Sequence, residues 1–108
     1  GEHALVLVTT QDLTRDAGRQ RYVWSAPINL VYVADYSRMG VMSTEAKDHY
    51  AWADLGYISQ NVYLFCTAVG LGSVVRGLLD RDAMKGKLGL NDDQHVLLAH
   101  SVGWPSQE

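Results

Sequence analysis

The sequence predicts a three-layered α/β or α+β protein organised around one long helix. Two observations carry this. Over residues 50–69 the apolar side chains Ala51, Leu55, Ile58, Val62, Phe65 and Val69 recur at spacings that alternate four and three, which places them on one stripe of a helix. A second set, Ala53, Tyr57, Leu64 and Ala68, lies nearly opposite, so the helix must be covered on two sides. The second observation is the alternation of helical stretches with short apolar runs, which gives the order strand, helix, strand, long helix, strand, short helix, strand.

Each element follows from local chemistry. Residues 3–9 hold the run Ala4-Leu5-Val6-Leu7-Val8, a strand. Thr10 can cap a short helix over about 11–16, closed by Gly18, while 20–24 is ambiguous and could be extended. Ala26-Pro27 marks a boundary, because the residue before proline is pushed away from helical angles. The nearly unbroken apolar run 28–34 has the pattern of an inner strand covered on both faces. Ser43 or Thr44, followed by Glu45, forms an N-cap region for the long helix, and Gly70 ends it. A short strand over 74–77 follows. Asp80 caps a third helix over 81–88 that Gly89 closes, and 94–102 is the last strand. No internal repeat or low-complexity segment interrupts this order.

Composition narrows the function. The charge of −3 and the scattered nine Lys and Arg provide no basic run with interleaved aromatics, so nucleic acid is not an expected partner. No apolar run approaches the ~20 residues needed to cross a bilayer, and no signal-peptide pattern is present, so no membrane partner is expected and the expected compartment is cytoplasmic. Strand-like sequence begins directly after Gly1-Glu2-His3, which leads us to expect the later part of a longer protein or one piece of a cleaved one. The single Cys66 excludes an internal disulfide and a multi-cysteine metal site, and its place in the long helix suits a buried thiol.

Candidate chemistry is sparse. Gly70-Leu71-Gly72-Ser73 invites a phosphate-loop reading, but such loops need a strand before and a helix after; here the order is reversed, so a helix C-cap and tight turn is the better reading. His95 and His100, five apart on one strand, face opposite ways and cannot share a metal from that strand. His49 and Asp48 are adjacent on a helix and diverge, so surface or structural histidines are expected. Asp54, Gln60, Asn61 and Thr67 interrupt the apolar helix and would either tie down a loop or line a pocket. Arg76, at a strand end, could pair with a carboxylate or meet an anionic cofactor; composition and spacing leave both open.

Two blocks go further. Asp54-Leu55-Gly56-Tyr57-Ile58-Ser59-Gln60-Asn61-Val62-Tyr63-Leu64-Phe65-Cys66 and Ala68-Val69-Gly70-Leu71-Gly72-Ser73-Val74-Val75-Arg76-Gly77 strongly resemble the nitroreductase family of flavoproteins. Weaker marks are Ala26-Pro27, the run Leu30 through Asp35, Leu88-Gly89-Leu90 and Val102-Gly103-Trp104-Pro105. The resemblance implies an α+β, nitroreductase-like three-layer sandwich, with a mixed or antiparallel sheet packed around a long central helix. It also implies an FMN-dependent oxidoreductase that takes a hydride from NAD(P)H and reduces small-molecule nitro, quinone or activated alkene acceptors. The family is usually homodimeric through the long helix. Its flavin lies along the backbone after the Gly-Leu-Gly turn, which by position transfers to Val74, Val75 and Arg76, flanked by Ser73 and Gly77.

The family's Arg-Ser-x-Arg type segment and Asn-rich loop are absent, and after Pro105 only Ser106, Gln107 and Glu108 remain where a basic residue often stands. Residues 1–108 therefore look like the C-terminal portion of a single such domain. A homodimer partner or a complementing N-terminal segment would be needed to close an FMN site. No catalytic side chain and no metal ligand is assigned. The alternative function is a non-catalytic module that dimerises through the long helix without flavin.

Overall fold

The computed structural model describes residues 26–105 of the 108. The strand expected at 3–9, the short helix at 11–16 and the ambiguous stretch 20–24 lie outside the described residues. The elements are β1 (Ile28–Asp35), a 3-10 turn (Tyr36–Arg38), α1 (Thr44–Ala68), β2 (Gly72–Arg76), α2 (Arg81–Lys87) and β3 (Gln94–Gly103). The strands form one antiparallel sheet in the order β1-β3-β2. The last strand in sequence is thus the middle one in space.

The branched, apolar run of β1 predicts an inner strand, and among the described residues β1 pairs with β3. Composition reports how a strand's faces are covered, and it is silent on how many strands flank it. β1 and β2 flank β3 on its two edges, so that Val102 stands between Ile28 on one side and Ser73 on the other.

The middle strand also changes phase. Val31 pairs with Ala99, yet Val33 pairs with Val96, so Leu97 and Leu98 together oppose Tyr32. This is a β-bulge, one extra residue on one strand. It lets Leu97 join Tyr36, Ala51 and Leu55 beneath α1. On the opposite face Val96 and Ala99 pack with Leu79 and Met84 around α2. Helix, sheet and helix make the three layers.

α1 starts at Thr44, six residues before the apolar spacing begins at 50. Its first turns are polar, so the stripe cannot mark them; the cap does. Ser43 Oγ accepts from the Ala46 N–H at 3.1 Å, and Glu45 stands in the first turn, where the helix dipole favours an acid. At the other end Gly70 adopts φ +79°, a left-handed angle that suits glycine. The Gly70 N–H then reaches Thr67 O at 3.3 Å and the Leu71 N–H reaches Cys66 O at 2.7 Å, closing the helix as expected. Gly89, at φ +68°, closes α2 by the same pair of reversed bonds. Ser43→Ala should lower stability by about 1 kcal/mol, and Ser43→Gly by only a few tenths, read as a shift in urea midpoint at unchanged slope.

The buried stripe of α1 is Ala51, Leu55, Ser59 and Cys66. Ile58, Phe65 and Val69, expected on it, are exposed in this chain, as are Trp52, Tyr57 and Leu64. The correction has a steric basis. Small side chains bring the helix close to the sheet, and Ser59 can be buried because its hydroxyl donates to Gly56 O at 3.2 Å. The second apolar side of the helix stands without cover from the described residues.

Two smaller boundaries also move. β2 runs Gly72–Arg76 instead of 74–77, and α2 ends at Lys87 with Leu88 as its C-cap. Asp80 caps α2 as expected, accepting from the Ala83 N–H at 3.1 Å.

Candidate functional site

The five residues assigned from the sequence lie on or just past β2, an edge strand among the described residues. In an antiparallel pair, successive residues turn their backbone groups alternately toward and away from the neighbouring strand. Val75 directs its N–H away from β3, because that N–H donates to the Tyr63 hydroxyl at 2.7 Å. Ser73, two residues earlier, shares this outward direction, while Val74 and Arg76 turn their backbone toward β3. Gly77 is held from the other side: its carbonyl accepts from Arg81 Nη2 at 3.1 Å and from the Leu79 N–H at 3.1 Å. The set is therefore divided. Ser73 and Val75 present backbone to the open edge, and the other three are engaged with the protein.

The Arg76 side chain is buried, at 4% exposure. Its Nε donates to Ser101 Oγ at 2.8 Å and its Nη2 to Asn29 Oδ1 at 3.0 Å, while Ser101 Oγ donates to Asn29 Oδ1 at 2.6 Å. These three residues form a polar row across all three strands, on the face away from α1. These described bonds run from the guanidinium to neutral acceptors across the sheet.

A second buried group faces α1. His100 is fully buried, shares a hydrogen bond at 2.8 Å between its Nδ1 and the Tyr32 hydroxyl, and lies with its ring 4.6 Å from that of Tyr63. Its Nε2 has no hydrogen-bond partner among the described residues. Burial, aided by the nearby Arg76 charge, depresses its pKa and so favours the neutral ring. Burial raises the Tyr32 pKa, with the neighbouring Tyr63 and Cys66 adding to the effect. His100 is structural, as expected. Spacing could not reveal that it props Tyr63 against the edge of β2.

The other described histidines, His49 and His95, do not build a centre. His95 packs its ring 4.2 Å from that of Tyr36, whose hydroxyl donates to Asp48. Burial and that carboxylate push the Tyr36 pKa up to about 12. Asp48 is thus engaged with Tyr36, and His49 next to it is exposed. Among the described residues no group of His, Cys, Asp and Glu could hold a metal, and no helix is long and apolar enough to cross a membrane.

Three hollows border these elements. One of about 300 Å³ lies at the start of β2, between Pro27, Gly72, Ser73, Val74 and Trp104. Gly103 is required beside it, because a Cβ there would stand 2.8 Å from the Pro27 ring. A second, of about 440 Å³, runs beneath α1 between Leu30, Ile58, Phe65 and Leu71, and Asn61 reaches it. A third, of about 350 Å³, lies along β1, with Asp54 at its wall. Asn61 and Asp54 thus face hollows, while Gln60 and Thr67 are simply exposed.

The sheet order and the long capped helix define an α+β fold, and comparison with known proteins identifies the family. The nitroreductase family's sequence profile matches residues 1–104, and the chain belongs to that family. It is 32% identical over 104 residues to the NADPH-flavin oxidoreductase of Vibrio harveyi, covering 89% of this chain and 43% of the relative. Over 105 residues it is 30% identical to a Methanocaldococcus jannaschii protein assigned to the nitroreductases, covering 94% of this chain and 52% of that one. The chain spans about half the length of these curated relatives. In three dimensions it superposes on a protein from Ralstonia eutropha, also assigned as a nitroreductase, with TM-score 0.84 and 34% identity, covering 94% of this chain and 49% of that one. The NADPH:FMN oxidoreductase of Vibrio harveyi, solved with NAD+, gives TM-score 0.75 and 34% identity, covering 88% of this chain and 45% of that one.

Proposed function

We propose that this chain is the C-terminal portion of a nitroreductase-like domain and supplies one wall of an FMN site. The observation that carries the reading is the edge of β2, open among the described residues. There Ser73 and Val75 offer backbone groups and Tyr63 a hydroxyl, a mixed set of donors and acceptors suited to the imide and carbonyl edge of a flavin ring. The same residues do not suit the phosphate: Arg76 is bound across the sheet and Arg81 is committed to the carbonyls of Gly77 and Leu97. The phosphate anchor would come from the complementing N-terminal segment or a second copy of the chain.

When bound, FMN would supply the two-electron chemistry, taking a hydride from NAD(P)H and passing it to nitro, quinone or activated alkene acceptors. The described residues do the holding. Tyr63 fixes Val75 from the α1 side and Arg81 fixes Gly77 from the α2 side, so this backbone needs little rearrangement to receive a ring. The uncovered apolar side of α1, with Trp52, Tyr57 and Leu64, supports a homodimer built on this helix. The compartment that goes with this reading is the cytoplasm.

The test is a visible absorption spectrum of the full-length protein as purified, followed by denaturation and assay of the released flavin. One FMN per chain is expected. A folded dimer that releases none and is not quenched by saturating FMN would make the chain a dimerising module without flavin.

A further inference from the structure

We propose that the Tyr63 hydroxyl is a direct hydrogen-bond donor to the edge of the bound flavin ring, an inference that rests on the FMN reading above. A phenolic hydroxyl has one hydrogen to give and lone pairs to accept with. At Tyr63 a lone pair is taken by the Val75 N–H at 2.7 Å, and the hydrogen has no acceptor among the described residues. Accepting from an N–H polarises the hydroxyl and makes it a better donor.

Its position is fixed twice. The ring lies against His100, which is fully buried and held through Nδ1 by Tyr32, so the side chain has little room to swing. The oxygen is pinned to the outward N–H of β2. Tyr63 itself is only partly buried, so a ligand lying along the strand can reach the hydroxyl. The usual donor of an edge strand, the Val75 N–H, is already occupied. Tyr63 relays that donor outward by the length of one oxygen, toward the ring carbonyls and nitrogens that need one. A reduced flavin is richer in electrons at those atoms than an oxidised one, so a donor there favours the reduced form.

Tyr63→Phe in the full-length protein removes one oxygen and leaves the ring on His100. Titration with FMN should show the dissociation constant rising roughly tenfold, the effect of one hydrogen bond. The flavin absorption bands should shift, and the midpoint potential should become more negative, with thermal stability close to that of the unaltered protein. Unchanged affinity and potential would overturn the inference and leave the FMN reading intact. Weaker binding with unmoved spectrum and potential would also overturn it, because the hydroxyl would then act only by steadying β2. If the unaltered protein took up no FMN, the reading itself would fall, and the inference with it.

Discussion

Replacing Arg76 by methionine should lower the free energy of unfolding by on the order of 3 kcal/mol, a large share of what holds a domain of this size together. Methionine has about the right length for the space but cannot donate. Ser101 Oγ and Asn29 Oδ1 would lose the guanidinium that both accept from, in a row where Ser101 is itself buried. Leaving buried Ser101 Oγ without the donor it accepts from costs more than the net value of that bond. Combining Arg76→Met with Asn29→Leu and Ser101→Ala should therefore recover part of the loss, because it removes the stranded polar groups as well. Urea unfolding of the single and triple variants checks this. A triple variant no more stable than Arg76→Met would show that the guanidinium is worth more than the acceptors it satisfies. Flavin lost from an Arg76 variant then reports a damaged fold, so it is no measure of cofactor contact.

A second effect is on the acid side and comes from His100. Its folded pKa is depressed below the ordinary value, chiefly by burial and further by the Arg76 charge. The sign follows from proton counting. Below about pH 6.5 the unfolded chain takes up a proton that folded His100 resists, so U binds more protons than N and stability falls as pH falls. At pH 7 and above this contribution is fully present. Between pH 6.5 and the depressed folded pKa it is lost at up to about 1.4 kcal/mol per pH unit. In His100→Gln that dependence should disappear, so the two stability profiles should run parallel above pH 7 and converge toward acid. Profiles that stay parallel down to pH 5 would mean that His100 is protonated inside the fold.

Much of the architecture was legible because it rests on local chemistry. Ser43, Asp80, Gly70 and Gly89 each do at a helix end what their side chains, or the lack of one, dictate, and all four mark true ends. The two apolar sides of α1 were legible from spacing alone. Which residues of that helix meet the sheet was not, because Ser59 and Cys66 are buried for their small size and carry little weight in an apolar pattern. The pairing of β1 with β3 was hidden for a related reason: strand pairing is decided by residues far away in sequence. At the candidate site the five positions around β2 came from a resemblance, and their division between open edge and protein interior needed the register with β3. Tyr63 and Arg81, which hold that stretch, carry no signature. One is a tyrosine within an apolar helix and the other an arginine after a cap, and only the fold brings each to a backbone group of the same strand end.

The extra residue in β3 has a consequence for how this sequence can change. Ahead of Leu97 and Leu98 the strand counts its faces in one parity, and after them in the other. The half that carries His100 and Ser101 is therefore read in a different frame from the half that carries Val96. Deleting Leu98 would remove the bulge and leave Val96, Ala99 and Ser101 on the α2 face and Leu97 and His100 on the α1 face, because the remaining residues then alternate regularly. An added residue, by contrast, would turn every side chain beyond it to the other face unless a second bulge absorbed it. The strand thus carries one spare residue, a tolerance that substitution at any single position would never reveal.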